Sequence, residues 1–156
     1  MAGMLTTLST NPVLEAIQDG IYTLDAGGRV TYLNAAAERL LGISREAALG
    51  RPFQEVVPRP DGADAWEALL GVLEDREPRQ YLESYASGGL PRHLAVHASP
   101  LDGEGVLVQF RDATSELETR EQYARLLEAI RDGFVAVDSA WGIVYVNRAA
   151  GQLGVT

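Results

Sequence analysis

Two histidines, His93 and His97, are the residues of this sequence most readily imagined as metal ligands. They stand two positions apart, so on a β-strand both side chains lie on one face, where a metal ion could bridge them. The same face would carry Ala95 and Ser99, and the sequence offers no obvious carboxylate nearby to complete a ligand set. The pattern therefore favours a solvent-facing or interface-facing pair over a metal site.

Other candidate catalytic residues have structural explanations. Asp61 and Asp64 could act as paired carboxylates, but they stand where a turn and a helix cap are predicted. Gly103-Glu104-Gly105 is typical of a hairpin, and no glycine-rich phosphate loop with its lysine leads from a strand into a helix. No Ser/His/Asp arrangement is evident. A small hydrolase that uses His93 and His97 is therefore the weakest functional hypothesis.

Composition excludes further classes of function. The 156 residues include no cysteine and carry a net charge of −9, and every one of the 13 basic residues is arginine. Disulfides, thiolate metal sites and cysteine nucleophiles are thereby excluded, and an acidic surface argues against nucleic acid as a partner. No signal peptide and no apolar run of about 20 residues is evident. We expect a cytoplasmic segment without direct membrane contact.

Caps, glycines and prolines divide the chain into short elements. Asn34, Ser44, Asp64 and Ser115 are predicted N-caps, the last two with a glutamate three residues on. The predicted order is a helix over 13–19 ended by Gly20, strands at 21–25 and 29–34, helices at 35–41, 45–49, 53–57 and 65–75, strands at 79–86, 91–100 and 105–111, and a helix from Ser115 to near Gly133.

Apolar spacing indicates which faces are buried. The helix over 65–75 has an apolar stripe of Trp66, Leu69, Leu70 and Leu73. Alternation in the last two strands separates one inward set, which comprises Leu94, Val96, Ala98, Val106, Val108 and Phe110. Two early strands cannot bury their own apolar face. We therefore predict an α+β fold in which all five strands form one antiparallel sheet with the helices on one face.

The sequence also repeats itself. Residues 14–40 and 127–153, at a constant offset of 113, share 12 identities in 27 pairs without a gap. Self-similarity at a fixed spacing indicates a repeated structural unit. The second copy is only about a third as long as the first, so we expect residues 134–156 to fray or to pair along a strand edge with a neighbouring chain.

Three stretches resemble the PAS domain family, the sensory modules of signalling proteins. They are residues 19–51, the hairpin at 87–100 and residues 108–116. The last is similar to the Asp-x-Thr end of the family's domain, here Asp112 and Thr114, and a signalling helix follows it. The resemblance implies that these two residues relay the signal.

The resemblance also sets the expected domain organisation, a PAS-like five-stranded antiparallel sheet flanked by N-terminal and C-terminal signalling helices. We expect four parts: an N-terminal segment (1–11), a PAS domain (12–114), a signalling or linker helix (115–133) and the truncated start of a second PAS domain (134–156).

The resemblance implies a small pocket between the sheet and the short helices. Its lining would comprise Tyr22, Leu24, Phe53, Val56, Leu69, Leu73, Leu82, Ser84, Leu94, Val96, Ala98, Val106, Val108 and Phe110. Tyr22, Ser84 and Tyr85 could give polar contacts to a small apolar or aromatic ligand. Alternatively, Tyr22 and Phe110 simply fill the space.

The sequence departs from two cofactor-binding branches of the family. Where flavin-binding light sensors hold an adduct-forming cysteine, this chain has Pro52-Phe53, and the helix over 65–75 lacks the iron-ligating histidine of haem-binding members. No haem and no cysteinyl-flavin adduct are expected. The identity of any cofactor is left open, with non-covalent flavin and other small molecules as possibilities.

The helix after Thr114 is the expected dimer contact. Leu117, Tyr123, Leu127 and Ile130 are its apolar positions, the last three in four-three spacing. The leading hypothesis is a sensory and dimerisation module of a histidine kinase or diguanylate cyclase, which forms a homodimer through this helix and the N-terminal one. A small-molecule or non-covalent flavin receptor is the alternative, and in neither case is the module itself an enzyme.

Overall fold

A computed structural model describes residues 11–57, 64–87 and 89–154. The chain forms two compact units that divide between Thr114 and Ser115. In the first unit the elements are α1 (Pro12–Ala16), β1 (Gly20–Leu24), β2 (Val30–Leu33), α2 (Ala35–Leu41), α3 (Arg45–Ala48), α4 (Phe53–Val56), α5 (Asp64–Asp75), β3 (Arg79–Ser87), β4 (Leu90–Pro100) and β5 (Val106–Asp112). Then follow α6 (Thr114–Ala129), β6 (Val135–Val137), β7 (Ile143–Val146) and α7 (Arg148–Gln152).

The first unit is built on one five-stranded antiparallel sheet in the order β2-β1-β5-β4-β3. β1 lies between β2 and β5, with Tyr22 opposite Leu33 on one side and Val108 on the other. The two early strands and the three late ones therefore share one sheet, which confirms the predicted fold class. The predicted inward set on β4 and β5 is buried throughout.

The β1–β2 turn shows why a short acidic residue precedes two glycines. The Asp25 carboxylate accepts hydrogen bonds from the backbone N–H groups of Gly27 and Arg29, both at 2.9 Å. Gly28 has φ +76°, a left-handed conformation that costs glycine little. The turn thus closes the hairpin by local chemistry alone.

Three of the predicted helices lie against the inner face of the sheet and begin where predicted, and the second and third end one residue earlier. Asn34 caps α2 by accepting from the Ala37 N–H at 2.8 Å, and Gly42 ends it with φ +69°. Ser44 caps α3 in the same way. In α4 the buried Phe53 ring packs edge-on against Trp66 of α5, with ring centroids 5.9 Å apart. Asp61 and the side chain of Asp64, the expected turn and cap, lie outside the described residues.

The buried face of α5 differs from the predicted stripe. Leu69 is buried and Trp66 and Leu73 are half-buried, as expected, but Leu70 is 43 % exposed and Val72 is completely buried. Leu69 and Val72 are three residues apart and so share a helix face, whereas Leu70 is rotated about 100° from Leu69. The buried stripe of α5 therefore includes Val72 in place of the predicted Leu70.

The first helix is shorter than predicted, and Gly20 does not end it. α1 ends at Ala16, Ile17 is already extended, and Gly20 is the first residue of β1, opposite Phe110. A Cβ on Gly20 would lie 2.2 Å from the Phe110 ring. Glycine is required there because the ring covers the strand, and not because a helix ends in a left-handed turn.

The start and end of the last long helix also differ from the prediction. α6 begins at Thr114 rather than after a Ser115 cap, and the Thr114 N–H donates to the Asp112 carboxylate at 2.9 Å. The helix ends at Ala129, so Ile130 lies beyond it. No helix among the described residues has both the length and the apolar character needed to cross a bilayer.

The second unit repeats the first hairpin and the capped helix that follows it. β6 and β7 pair as an antiparallel hairpin, and the Asn147 side chain caps α7. Among its described residues only Asn147 and Ala150 are buried, while several apolar side chains are exposed, namely Phe134, Val135, Val137, Ile143 and Val144. The predicted strand pair and helix are present, and their fraying or docking stays a prediction.

A buried asparagine holds the first unit's N-terminal segment onto the sheet. The Asn34 oxygen accepts from the N–H groups of Ile21 (2.9 Å) and Ala37. Its NH₂ group donates to the carbonyl oxygens of Leu14 and Asp19, both at 3.0 Å. One amide therefore uses its full hydrogen-bonding capacity to connect three elements.

We expect Asn34→Asp to destabilise the first unit by about 2–4 kcal/mol, because a carboxylate cannot donate to the two carbonyls and is left buried beside them. Urea unfolding followed by Trp66 fluorescence, in a Trp141→Phe background, measures this. Asn147→Asp makes the matched change in the second unit and should leave the urea midpoint reported by Trp66 unchanged. The same urea midpoint for Asn34→Asp and the parent would contradict the role assigned to Asn34.

Candidate functional site

Most of the residues expected to line a pocket do lie together on the inner side of the sheet. β1, β4 and β5 supply side chains from below, and α4 and α5 cover them. The buried members are Tyr22, Leu24, Phe53, Val56, Leu69, Leu94, Val96, Ala98, Val106, Val108 and Phe110, and Leu73 packs half-buried against them.

Two of the expected residues, Leu82 and Ser84, lie on the opposite face. Leu82 is 57 % exposed, and Ser84 bonds to a residue of the outer face. On β3 the inward residues are instead Tyr81, Glu83 and Tyr85. The prediction for this strand followed the family resemblance and was wrong by one residue, which exchanges the two faces of a strand completely.

The space enclosed by this inner face is small. Its lining comprises Tyr22, Leu41, Val57, Glu83, Leu94, Val96, Val108 and Phe110, which border about 180 Å³ of space between atoms, part of it open to solvent. No part of it is wide enough for a water molecule. The rings of Tyr22 and Phe110 lie 5.8 Å apart, so these two side chains fill much of the room, as one of the two alternatives supposed.

Glu83 is the chemically unusual residue of this cavity. It is only 6 % exposed, and among the described residues no hydrogen bond and no cation offsets the burial of its carboxyl group. Burial raises the pKa of Glu83 to about 7, because a charged carboxylate is poorly solvated there. The negative charge of Glu83 in turn contributes to the raised pKa of Tyr22 and Tyr81, for which burial is the larger cause.

Sequence reasoning missed Glu83. The available signal was the spacing of Tyr81, Glu83 and Tyr85, which puts a carboxyl group on the same strand face as two aromatic rings. Leu82 obscured that signal, because an apolar leucine beside Glu83 suggests that Leu82, rather than Glu83, faces the core.

The outer face carries the two histidines, each with its own serine. His93 Nδ1 lies 2.8 Å from Ser84 Oγ, and His97 Nε2 lies 3.3 Å from Ser99 Oγ. Both histidines are on the side of β4 opposite Leu94 and Val96, as the alternation predicted. The described residues hold no group of three or more His, Asp or Glu side chains suited to a metal ion.

His93 also joins the sheet to the start of α6. Its N–H donates to Thr114 Oγ1 at 3.0 Å, and its carbonyl oxygen accepts from the Ala113 N–H at 2.8 Å. Asp112 accepts from the Thr114 N–H and lies 3.5 Å from Arg92, and the hydrogen bonds from Thr114 lower the pKa of Asp112. The last residues of the sheet and the first of the helix therefore form one bonded junction with β4.

Stability should depend on pH through Glu83. The folded state binds the Glu83 proton more tightly than the unfolded chain, so the free energy of unfolding falls as pH rises from about 4.5 to about 7 and is then level. The loss is about 3 kcal/mol. The free energy of unfolding should be measured with urea for the parent and for Glu83→Gln between pH 5 and pH 8. The difference between the two proteins should change with pH over this window. The exposed Glu77→Gln is the matched control, and a pH-independent difference for Glu83→Gln would contradict the analysis.

Two family models match the chain. One, described as the PAS fold, matches residues 14–118, and another, described as PAS domain, matches residues 121–153. The solved structures with a similar fold include the PAS domain of nitrogen regulation protein NR(II) from Vibrio parahaemolyticus, 22% identical with a TM-score of 0.54 over 65% of this chain and 94% of that one. The PAS domain of BvgS from Bordetella pertussis is 24% identical with a TM-score of 0.52 over 80% of this chain and 92% of that one.

Curated relatives share sequence with part of the chain. The nitrogen regulation protein NtrY of Azorhizobium caulinodans is 47% identical over 68 residues, and the signal transduction histidine-protein kinase AtoS of Escherichia coli is 30% identical over 119. These matches cover 44% and 72% of this chain, but only 8% and 19% of the relatives' own lengths. With its five-stranded sheet and a family model that matches residues 14–118 of 156, the chain belongs to the PAS family.

Proposed function

We propose that this chain is a sensory and dimerisation module of a cytoplasmic signal-transduction protein of the histidine kinase or diguanylate cyclase type. The state of the inner cavity, or of a bound partner, changes the sheet, and the change passes to α6 and to an output domain. The module itself carries out no reaction. Asp112 and Thr114 are the relay residues, and residues 12–114 form the sensory domain.

The observation that carries this proposal is the bonded junction at the start of α6. Ser84 lies next to Glu83 on β3 and bonds to His93 at 2.8 Å, and the His93 N–H bonds to Thr114 at 3.0 Å. A short chain of hydrogen bonds therefore connects β3 to the first residue of α6, and a displacement of β3 could pass along it. Coupling of this kind needs a contiguous network that both ends can bias.

Dimerisation is proposed through the apolar positions of α6. Tyr123 is 65 % exposed and Leu126, beside it, is exposed as well, while Leu117 and Leu127 are half-buried. Exposed apolar side chains at helical spacing are typical of an interaction surface. The contact would extend to Ile130 just beyond the helix and include the N-terminal segment.

A small-molecule receptor is the second candidate function, and Glu83 is the observation that favours it. A buried carboxyl group without a partner is costly to maintain and is common at functional sites. The cavity has no room for a water molecule, whereas pockets that hold drug-sized ligands usually measure roughly 300–1,000 Å³. This size favours a small ligand over a flavin.

We expect Thr114→Val to weaken the junction by about 1 kcal/mol, because the His93 N–H loses its acceptor. Hydrogen exchange should show faster exchange of the His93 amide and of the first turn of α6, with β1 and β5 unchanged. Thr119→Val, five residues further along the same helix, is the matched control. Unchanged exchange at α6 in Thr114→Val would argue against the relay.

Light scattering after size-exclusion chromatography tests the dimer. We expect twice the mass of one chain at high micromolar concentration, and a single-chain mass for Tyr123→Glu/Leu127→Glu, which places charges in the apolar contact. Arg125→Glu, on the opposite side of α6, should remain dimeric. A monomeric parent at that concentration would defeat the proposal.

A further inference from the structure

The cavity beside Glu83 has a consistent chemical character. Its described lining consists of apolar and aromatic side chains apart from Glu83, and none of its residues on α2, β4 or β5 is charged. The titratable groups that face Glu83 are Tyr22 on β1 and Tyr81 and Tyr85 on β3, all with a raised pKa. Among the described lining residues, the carboxyl group of Glu83 is therefore the one ionisable group able to carry charge near neutral pH.

We propose that Glu83 makes this cavity a site for a small organic cation, a protonated amine whose ammonium group pairs with the carboxylate while its apolar part lies among Leu41, Val57 and Val96. This inference rests on the sensory function proposed above and names the class of ligand for that site.

Charge complementarity supports a cationic ligand over the other classes. An ionised carboxylate only accepts hydrogen bonds, and it compensates its burial best when it is paired with a donor that carries positive charge. An anion would meet an uncompensated negative charge in an apolar setting. Tyr22 and Phe110 line the same cavity, and aromatic rings attract cations. The chain's net charge of −9 raises the local concentration of cations.

In the free protein a proton takes the place of the cation. The pKa of Glu83, about 7, keeps much of the carboxyl group neutral at neutral pH, because burial removes most of the water that would solvate the charge. An amine would displace the proton and pair with the carboxylate in its place. Binding should therefore release a proton below pH 7.

The position of Glu83 allows the cavity to widen. β3 is an edge strand of the described sheet and pairs only with β4, so its outward movement strains a single ladder. A cavity of about 150 Å³ lined by apolar side chains holds a molecule the size of benzene. The cavity beside Glu83 has no room for even a water molecule, so a ligand with about six non-hydrogen atoms enters only when β3 moves outward. The same movement would shift Ser84 and, through His93, the start of α6.

The test uses the full 156-residue chain and three probes of similar size: n-butylammonium, 1-butanol and butyrate. Amide chemical shifts in ¹H–¹⁵N NMR spectra at pH 8 report binding. We expect saturable shifts on β3, β4 and β5 with n-butylammonium and none with butyrate. Affinity for n-butylammonium should rise about tenfold between pH 6 and pH 8, and calorimetry at pH 6 in buffers of different ionisation enthalpy should show release of about one proton.

Two variants of Glu83 and one control variant distinguish binding at Glu83 from binding to exposed carboxylates. Glu83→Gln should bind n-butylammonium at least about tenfold more weakly, because it keeps the shape of the side chain and loses the charge. Glu83→Asp keeps the charge and should retain the preference for the cation over butyrate. Glu77→Gln removes one exposed carboxylate and should bind like the parent.

Each outcome decides between the ligand class and the sensory function. Equal binding of 1-butanol, unchanged affinity in Glu83→Gln, or no saturable shift with any probe would overturn the cationic site. If butyrate or butanol binds and also shifts the amides of α6, the ligand class is wrong and the sensory function is supported. If n-butylammonium binds through Glu83 without changing α6, the cationic site holds and the relay fails.

Discussion

The Asn34 side chain is the interaction on which the first unit's architecture depends. It lies fully buried at the end of β2 and bonds to α1, to the start of β1 and to the first turn of α2. A buried amide is stabilising only when each of its donors and acceptors is paired. Because Asn34 meets that condition with backbone groups alone, it fixes the path of three elements and so the position of the short helices over the sheet.

The second unit supports this account, since Asn147 reproduces the same bonds. Its oxygen accepts from the N–H groups of Phe134 and Ala150, and its NH₂ group donates to the Leu127 and Asp132 carbonyls at 3.1 Å. Tyr145 and Glu128 likewise repeat the hydrogen bond between Tyr32 and Glu15. Every one of these contacts spans about 20 residues or fewer, so the network forms without β3, β4 or β5. Hydrogen bonds between residues close in sequence thus explain why the same polar residues occur in both copies of the repeat.

Sequence patterns predicted those parts of the fold that local rules determine. The capped helices, the β1–β2 turn and the alternation of β4 and β5 follow from side chains such as Asn34, Gly28 and Val96. The inward face of β3 could not be read in this way, because Leu82 and Glu83 reverse the usual relation between polarity and burial. That reversal arises from the tertiary environment, because the cavity beside Glu83 is bordered by Leu41 of α2 and by Val57, which are distant in sequence.

The reversal on β3 places the proposed ligand contact and the proposed relay on neighbouring residues. Successive residues of a strand point to opposite faces, so inward Glu83 and outward Ser84 are joined by one peptide bond. A movement of Glu83, when its carboxyl group ionises or pairs with a ligand, would therefore also move Ser84. Ser84 bonds to His93, and the backbone of His93 bonds to Thr114, the first residue of α6. The residue that sequence reasoning assigned to the wrong face is therefore the one best placed to connect the cavity with the helix.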